Sequence, residues 1–403
     1  MIEIKNLSKQ IINGNYRISA DINFGDLNVS FTEHKIWFES PMESGDILSD
    51  KNYNAFFLVP LYLSMYYKTD LYIRGSLSER LYKNMMDYGQ QIFCNFSKDL
   101  SKIHVYVDEL ISDSQFSGKL IGTGLSCGVD SLYTIYKRYV LEKSPDYKVN
   151  SLFIFNCGTH GDFENETTYK TFMNRYKMNK KAADELGLPL FRINSNLHAF
   201  THMIGEQKMG YIALHSCILS LQKVLSKYYM ANGTNYDEML KTWEHHYDFD
   251  FGGFCDPYFI PLVKTEAVEL ILEGAQFYRS EKIKIISKWN ISKKYLNVCT
   301  APLPDGRNCC SCPKCIRTLI PLNALGELGN YSESFDIEKY KKHEKDALYN
   351  MMIEVKKGDR LFAFDNMKFC IEHNVWLPNS TEVFFYRVIK KIDRIYKRIK
   401  DMR

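Results

Sequence analysis

Glycine and proline are scarce in this chain, 22 and 11 of 403 residues, which excludes collagen-like and low-complexity architectures. No apolar run reaches the ~18 residues that a membrane helix needs, so no membrane span is expected. The opening, MIEIKNLSKQ, has no apolar stretch behind a basic tip. Neither a signal peptide nor a transit peptide is read there, and the expected location is cytoplasmic. There is also no large excess of one charge: 52 Lys and Arg face 48 Asp and Glu, a net +4. Bulk charge therefore does not indicate nucleic acid as a partner. The balance is uneven, because residues 380–403 alone carry eight basic and three acidic side chains. No internal repeat is found.

The length suggests two or three domains at about 150 residues each. Residues 16–38 read as a hairpin: Ile18, Ala20, Ile22 and Phe24 alternate with polar residues, Gly25-Asp26 offers a turn, and Leu27, Val29 and Phe31 alternate again. A buried helix is expected over 55–67, a strand over 71–73, a helix opened by Ser76 and Glu79, and a strand over 103–107. Residues 1–115 are thus read as an α+β domain of unassigned role. From Lys119 the pattern becomes strand, loop, helix, and repeats through strands at 151–155, 190–193 and 229–232, with a further helix over 265–272. Alternation at this spacing points to βαβ units and an α/β, doubly wound parallel sheet over 116–295. Residues 296–330 form a cysteine-rich module and 331–403 a helical region. In the last helix, Phe385, Val388, Ile389, Ile392, Ile395, Tyr396 and Ile399 share one stripe.

The segment Lys119-Leu-Ile-Gly-Thr-Gly-Leu-Ser126-Cys127-Gly128-Val129-Asp130-Ser131 runs from strand to helix, with hydroxyl residues on both sides of the turn. Backbone N–H groups and a helix N-terminus aimed at one point suit an anion, so the segment is a candidate phosphate cradle. It has neither the lysine of a Walker loop nor the spacing of a dinucleotide fingerprint.

Of eleven cysteines, five lie within seventeen residues: Cys299, Cys309, Cys310, Cys312 and Cys315. Four thiolates spaced C-x9-C-x2-C-x2-C are the set that closes a structural tetrahedral zinc site. Spacing favours Cys309 over the adjacent Cys310, and an iron–sulfur cluster is the competing occupant.

The loop Ser126–Ser131 resembles the SGGxDS loop of the ATP pyrophosphatases, with Cys127 standing where that family has its second motif residue, glycine. Together with the four cysteines some 170 residues later, residues 118–325 resemble 7-cyano-7-deazaguanine synthase. Gly233-Thr234-Asn235 with Asp237, then Asp256-Pro257-Tyr258-Phe259-Ile260, Pro261 and Lys264-Thr265-Glu266 echo further motifs of that family. The resemblance implies an adenine nucleotide alpha hydrolase-like fold and an ATP-dependent ligase that joins a carboxylate, 7-carboxy-7-deazaguanine or a relative, to an amine. The carboxylate would be adenylated with release of pyrophosphate, and ammonia or a protein or peptide amine would displace AMP. It further implies ATP, Mg²⁺ and Zn²⁺ as cofactors, with Asp130, Ser131 and Lys264 catalytic. Ser126, Cys127, Gly128, Val129, Asp130, Ser131, Phe155, Asn156 and Gly233 would bind the nucleotide, and Cys299, Cys309, Cys312 and Cys315 the metal. A homodimer is left open.

Three departures separate the chain from that synthase: long additions on both sides, an aromatic and acidic insertion over Trp243–Phe251, and a substrate-side loop without the family's arginine and glutamate. Enlarged relatives are associated with bacterial antiviral defence. The alternatives are a tRNA-modifying adenylating enzyme and a catalytically silent nucleotide-binding subunit. His245-His246 reads as a solvated pair, whereas His160 follows a strand end where an open α/β sheet places ligands.

Overall fold

The computed structural model describes residues 1–112, 118–163, 165–202, 206–244, 255–299, 306–358 and 361–401. For 206–211, 241–244 and 394–401 it describes the backbone alone. The chain divides into two compact units. The first comprises Met1–Ser126, Thr134–Gly233 and Met239–Ala275; the second comprises Cys127–Tyr133, Thr234–Glu238 and Gln276–Arg403.

The first unit is α/β and is built on ten strands: β1 Ile2–Ile12, β2 Asn15–Asn23, β3 Lys35–Pro41, β4 Leu71–Ser78, β5 Val105–Ile111, β6 Leu120–Gly124, β7 Ser151–Asn156, β8 Leu190–Ser195, β9 Leu225–Ala231 and β10 Glu269–Glu273. They form one sheet in the order β10-β9-β6-β7-β8-β3-β2-β1-β4-β5. The pairs β8–β3, β3–β2 and β2–β1 are antiparallel and the other six are parallel. Within the parallel five, β6 lies between β7 and β9, so chain order reads 3-2-1-4-5 across the sheet and reverses at β6. Every residue of β7, SLFIFN, is buried, as a strand covered on both faces requires. Residues 1–111 supply five strands to this same sheet through the β3–β8 pairing. Helix Leu58–Tyr66 is apolar on every side and is buried from Leu58 to Met65, so it belongs to the core rather than to the surface.

Three local expectations are corrected. Ser76 lies within β4, and the helix Glu79–Asn84 is opened by Ser78, which accepts from Leu81 N–H. The hairpin turn lies at Asn13-Gly14, not at Gly25-Asp26. Both residues have positive φ, 49° and 74°, as a type I′ turn requires, and Ile12 pairs with Asn15 across it. Residues 27–31 are a connection, held by Phe31 packing on Phe24, Tyr67 and Phe200. The helix expected over 265–272 is instead a turn followed by β10. Thr265 Oγ1 accepts from the N–H groups of Ala267 and Val268 at 3.1 Å each, and Glu269–Glu273 then joins the edge of β9 in parallel register. Pairing with β9 outweighs the weak helical preference of five residues.

The second unit is helical among the described residues: Arg279–Ile286, Asn290–Tyr295, Pro313–Ala324, Ile337–Lys356, Phe362–Glu372 and Ser380–Asp401. Pro313 opens its helix at the first position, where its missing N–H costs nothing. Asp336 caps the helix Ile337–Lys356 by accepting from Lys339 N–H at 3.0 Å.

Candidate functional site

Leu125 leaves β6 with its N–H donating to Phe153 O at 2.9 Å and its carbonyl accepting from Asn179 Nδ2 at 2.7 Å. The next residues turn into the helix Val129–Ile135. Ser126 is exposed, Gly128 and Asp130 are half-buried, and Cys127, Val129 and Ser131 are buried. Cys127 adopts φ +57°, the left-handed region that only glycine enters without steric cost. Its carbonyl accepts from Asn297 N–H at 2.8 Å. Glycine would occupy this backbone without strain. The buried thiol is carried as a small side chain at a strained position.

Asp130, in the first turn of that helix, is the centre of a charged cluster in the second unit. One carboxylate oxygen pairs with Arg279 and the other with Lys282 Nζ at 3.1 Å. Arg279 is 10% exposed and Lys282 not at all. Burial alone would push the Asp130 carboxyl up, but the two cations outweigh it and hold it below the ordinary carboxylate value. Sequence reasoning missed both cations. Their only signal is a basic pair three apart at the start of the helix Arg279–Ile286.

The segment Thr234–Glu238, which follows β9 in the chain, brings a second set of acids to the same helix. Asn235 Oδ1 accepts from Glu238 N–H at 2.8 Å, and Glu238 Oε2 accepts from Asn235 N–H at 2.9 Å, a reciprocal capping box. Burial pushes the Glu238 carboxyl up to about 8, so it is largely protonated at neutral pH. Asp237 accepts from the Tyr278 hydroxyl. Asp365 accepts from Ser280 N–H at 3.0 Å and Ser280 Oγ at 2.5 Å, and burial raises its carboxyl too. The N-cap and first turn of one helix thus carry the partners of three acids: Tyr278 for Asp237, Arg279 and Lys282 for Asp130, and Ser280 for Asp365. One acid is held ionised by cations, and Glu238 is held neutral by burial.

The remaining expected residues belong to the first unit. Ser126, Phe155, Asn156 and Gly233 follow or end β6, β7 and β9, so all four share the carboxyl end of three adjacent parallel strands. Phe155 is buried against Phe153 and Tyr228, and Asn156 Nδ2 donates to Asn194 Oδ1 at 2.8 Å. Lys264 is half-buried and enters β10 from its amino side. His160, in the loop after β7, packs on Phe172, and burial pushes it down to about 4, so it is neutral. His245 and His246 lie outside the described residues.

The sulfur atoms of Cys299, Cys309, Cys312 and Cys315 all lie within 4.8 Å of one another. Three separations are 3.9 Å (Cys299–Cys312), 3.8 Å (Cys309–Cys315) and 3.4 Å (Cys312–Cys315). Four thiolates at ~2.3 Å from one tetrahedral ion sit about 3.8 Å apart, so the donor set fits a single ion such as zinc. A four-iron cluster, with each thiolate on a different iron, needs wider spacing. Asn308 organises the site from behind: its Oδ1 accepts from Val298 and Cys299 N–H at 2.8 and 3.0 Å, and its Nδ2 donates to Leu296 O and Ser334 O at 2.9 Å each. Burial would raise the Cys309 thiol, but N–H groups of Ser311 and Cys312 and the Ser311 hydroxyl bring it down to about 6. Cys310 is turned elsewhere, donating to Asn308 O and accepting from Asp336 N–H. Of the two neighbours, Cys309 is therefore the one that joins the group that could hold a metal.

Compared with protein-family models, curated proteins and solved structures, the chain matches none.

Proposed function

We propose that this chain adenylates a small-molecule carboxylate with ATP and passes the acyl group to an amine. The observation that carries the reading is the turn Ser126–Ser131, which leaves the first strand of a parallel 3-2-1-4-5 set and runs into a helix. Open α/β sheets bind ligands outside the carboxyl ends of their strands, where strand order reverses, and a helix N-terminus there favours phosphate. On this reading the five parallel strands are a doubly wound fold of the ATP pyrophosphatase type. The resemblance to 7-cyano-7-deazaguanine synthase makes 7-carboxy-7-deazaguanine the first substrate to try.

A carboxylate oxygen would attack the α phosphorus, and the bond to the bridging oxygen of the β phosphate would break, so that pyrophosphate leaves with the electron pair. An amine would then attack the acyl carbon, AMP would leave, and the nitrogen would lose a proton to solvent. The loop amides with Ser126 and Ser131 suit the phosphates. Arg279 and Lys282 suit the charge that develops as pyrophosphate departs, and Asp130 holds both cations in place. Because both Asp130 oxygens are already engaged, Mg²⁺ is better carried in on the nucleotide. The cysteine set has no open position, so its metal would be structural.

The same engagement of Asp130 favours a second reading, a nucleotide-binding subunit without turnover. Pyrophosphate release from ATP and Mg²⁺ with 7-carboxy-7-deazaguanine, with and without ammonium, separates the two. The proposal expects carboxylate-dependent release that falls about 100-fold or more in Asp130→Asn, with amide or nitrile detected by mass spectrometry. ATP binding with no release from any carboxylate would establish the silent subunit.

A further inference from the structure

The helix Ser380–Asp401 docks by a narrow arc and, among its described side chains, leaves a broader apolar side uncovered. At about 100° per residue, Val383, Tyr386 and Lys390 fall on one arc of about 60°, and that arc carries the packing. Val383 is 1% exposed, the Tyr386 ring stacks on Tyr349 at 4.5 Å, and Lys390 Nζ pairs with Asp346 at 3.2 Å. Phe384, Phe385, Val388, Ile389 and Ile392 fall on the opposite arc, about 140° wide. Their exposures are 61, 58, 40, 57 and 59%. The sequence continues the same spacing through Ile395, Tyr396 and Ile399. A soluble helix ordinarily turns such a stripe inward; this one presents it outward.

Charge decides what covers it. Residues 380–403 carry a net +5, and Arg387 and Lys391, both exposed, border the apolar arc along one side, with Glu382 and Asp393 along the other. A second copy of the helix laid on the first would set +5 against +5. An anionic lipid surface offers both an apolar interior for the aromatic and aliphatic side chains and negative headgroups for the cations along that one side. A basic helix with a strong apolar face and low mean hydropathy is the kind that lies in that interface. We propose that the exposed face of Ser380–Asp401 docks the protein, reversibly and in the plane of the bilayer, on membranes rich in anionic lipid.

The test is sedimentation of the full chain with phosphatidylcholine vesicles with or without 30% phosphatidylglycerol, at low and high salt. The expected result is binding to the anionic vesicles, weakened tenfold or more by Ile389→Glu, by Phe385→Glu and by the pair Arg387→Glu with Lys391→Glu, and weakened by salt. These side chains are exposed, so all variants should keep the parent melting temperature. No binding to anionic vesicles, or binding indifferent to these variants, overturns the proposal. So does a concentration-dependent dimer that Ile389→Glu dissociates, which would make the face a self-interface, or capture of an acidic polypeptide in place of the vesicles.

Discussion

Cys309 and Cys310 are neighbours in the chain and part company in space. Cys310 takes φ +60°, and this left-handed residue swings its thiol toward Asn308 and Asp336 while Cys309, Cys312 and Cys315 converge. The spacing C-x9-C-x2-C-x2-C makes the set legible from sequence and already favours Cys309; the left-handed backbone at Cys310 is the physical reason its thiol stays out of the group. A direct consequence is that Cys310→Ser retains one metal ion per chain after dialysis against a mild chelator, whereas Cys309→Ser loses it and melts several degrees lower; metal content by mass spectrometry reads both. Asp130 is similarly legible from its loop. Its partners Arg279 and Lys282 are not, because they lie 149 and 152 residues away and ordinary helix-start chemistry accounts for both.

At the scale of elements, what could be read was whatever local pattern alone decides. The helix Glu166–Leu186 has an asparagine cap, Asn165 accepting from Thr167 N–H, and a left-handed Gly187 at its end, both start and stop signals that the sequence itself carries. The Asn13-Gly14 turn was equally legible, since this dipeptide between apolar runs is a strong short-range hairpin signal; reading a turn at Gly25-Asp26 instead displaced the hairpin. The strand β10 was not legible, because five residues with some helical preference become a strand only when β9 is beside them. The helix Glu79–Asn84 is expected to open at Ser76 and instead opens at Ser78, where a tertiary contact to Glu266 accompanies the cap. Ser78 Oγ accepts from Leu81 N–H at 3.1 Å and donates to Glu266 at 2.7 Å, fully buried. Ser78→Ala should therefore cost about 1 to 2 kcal/mol, seen as a lower urea midpoint, and Ser78→Thr should recover most of it.

At the scale of the molecule, the sheet is continuous across two patterns that look separable in sequence. An antiparallel set and a parallel set meet at β3–β8, where Phe38 pairs with Ser195 and Glu39 with Asn194. Asn196 reinforces the joint, accepting from Trp37 N–H at 2.9 Å and donating to Lys35 O at 2.6 Å. One hydrophobic cluster runs through both sets, from Ile2 and Phe56 to Phe153 and Leu270. The sequence pattern changes at Lys119 because the topology changes there, and the core does not end with it. A chain starting at residue 118 should accordingly fail to melt cooperatively and should aggregate; a sharp thermal transition in that fragment would show that the parallel set stands alone.

The β3–β8 joint also sets a timetable. Glu39 and its partner Asn194 are 155 residues apart, and at a synthesis rate of about 5–20 residues per second β3 leaves the ribosome roughly 8 to 30 seconds before β8 exists. Through that interval the outer edge of β3 is an unpaired template for any neighbouring nascent chain. Lys35 and Glu39 on that strand supply the charge that discourages such recruitment.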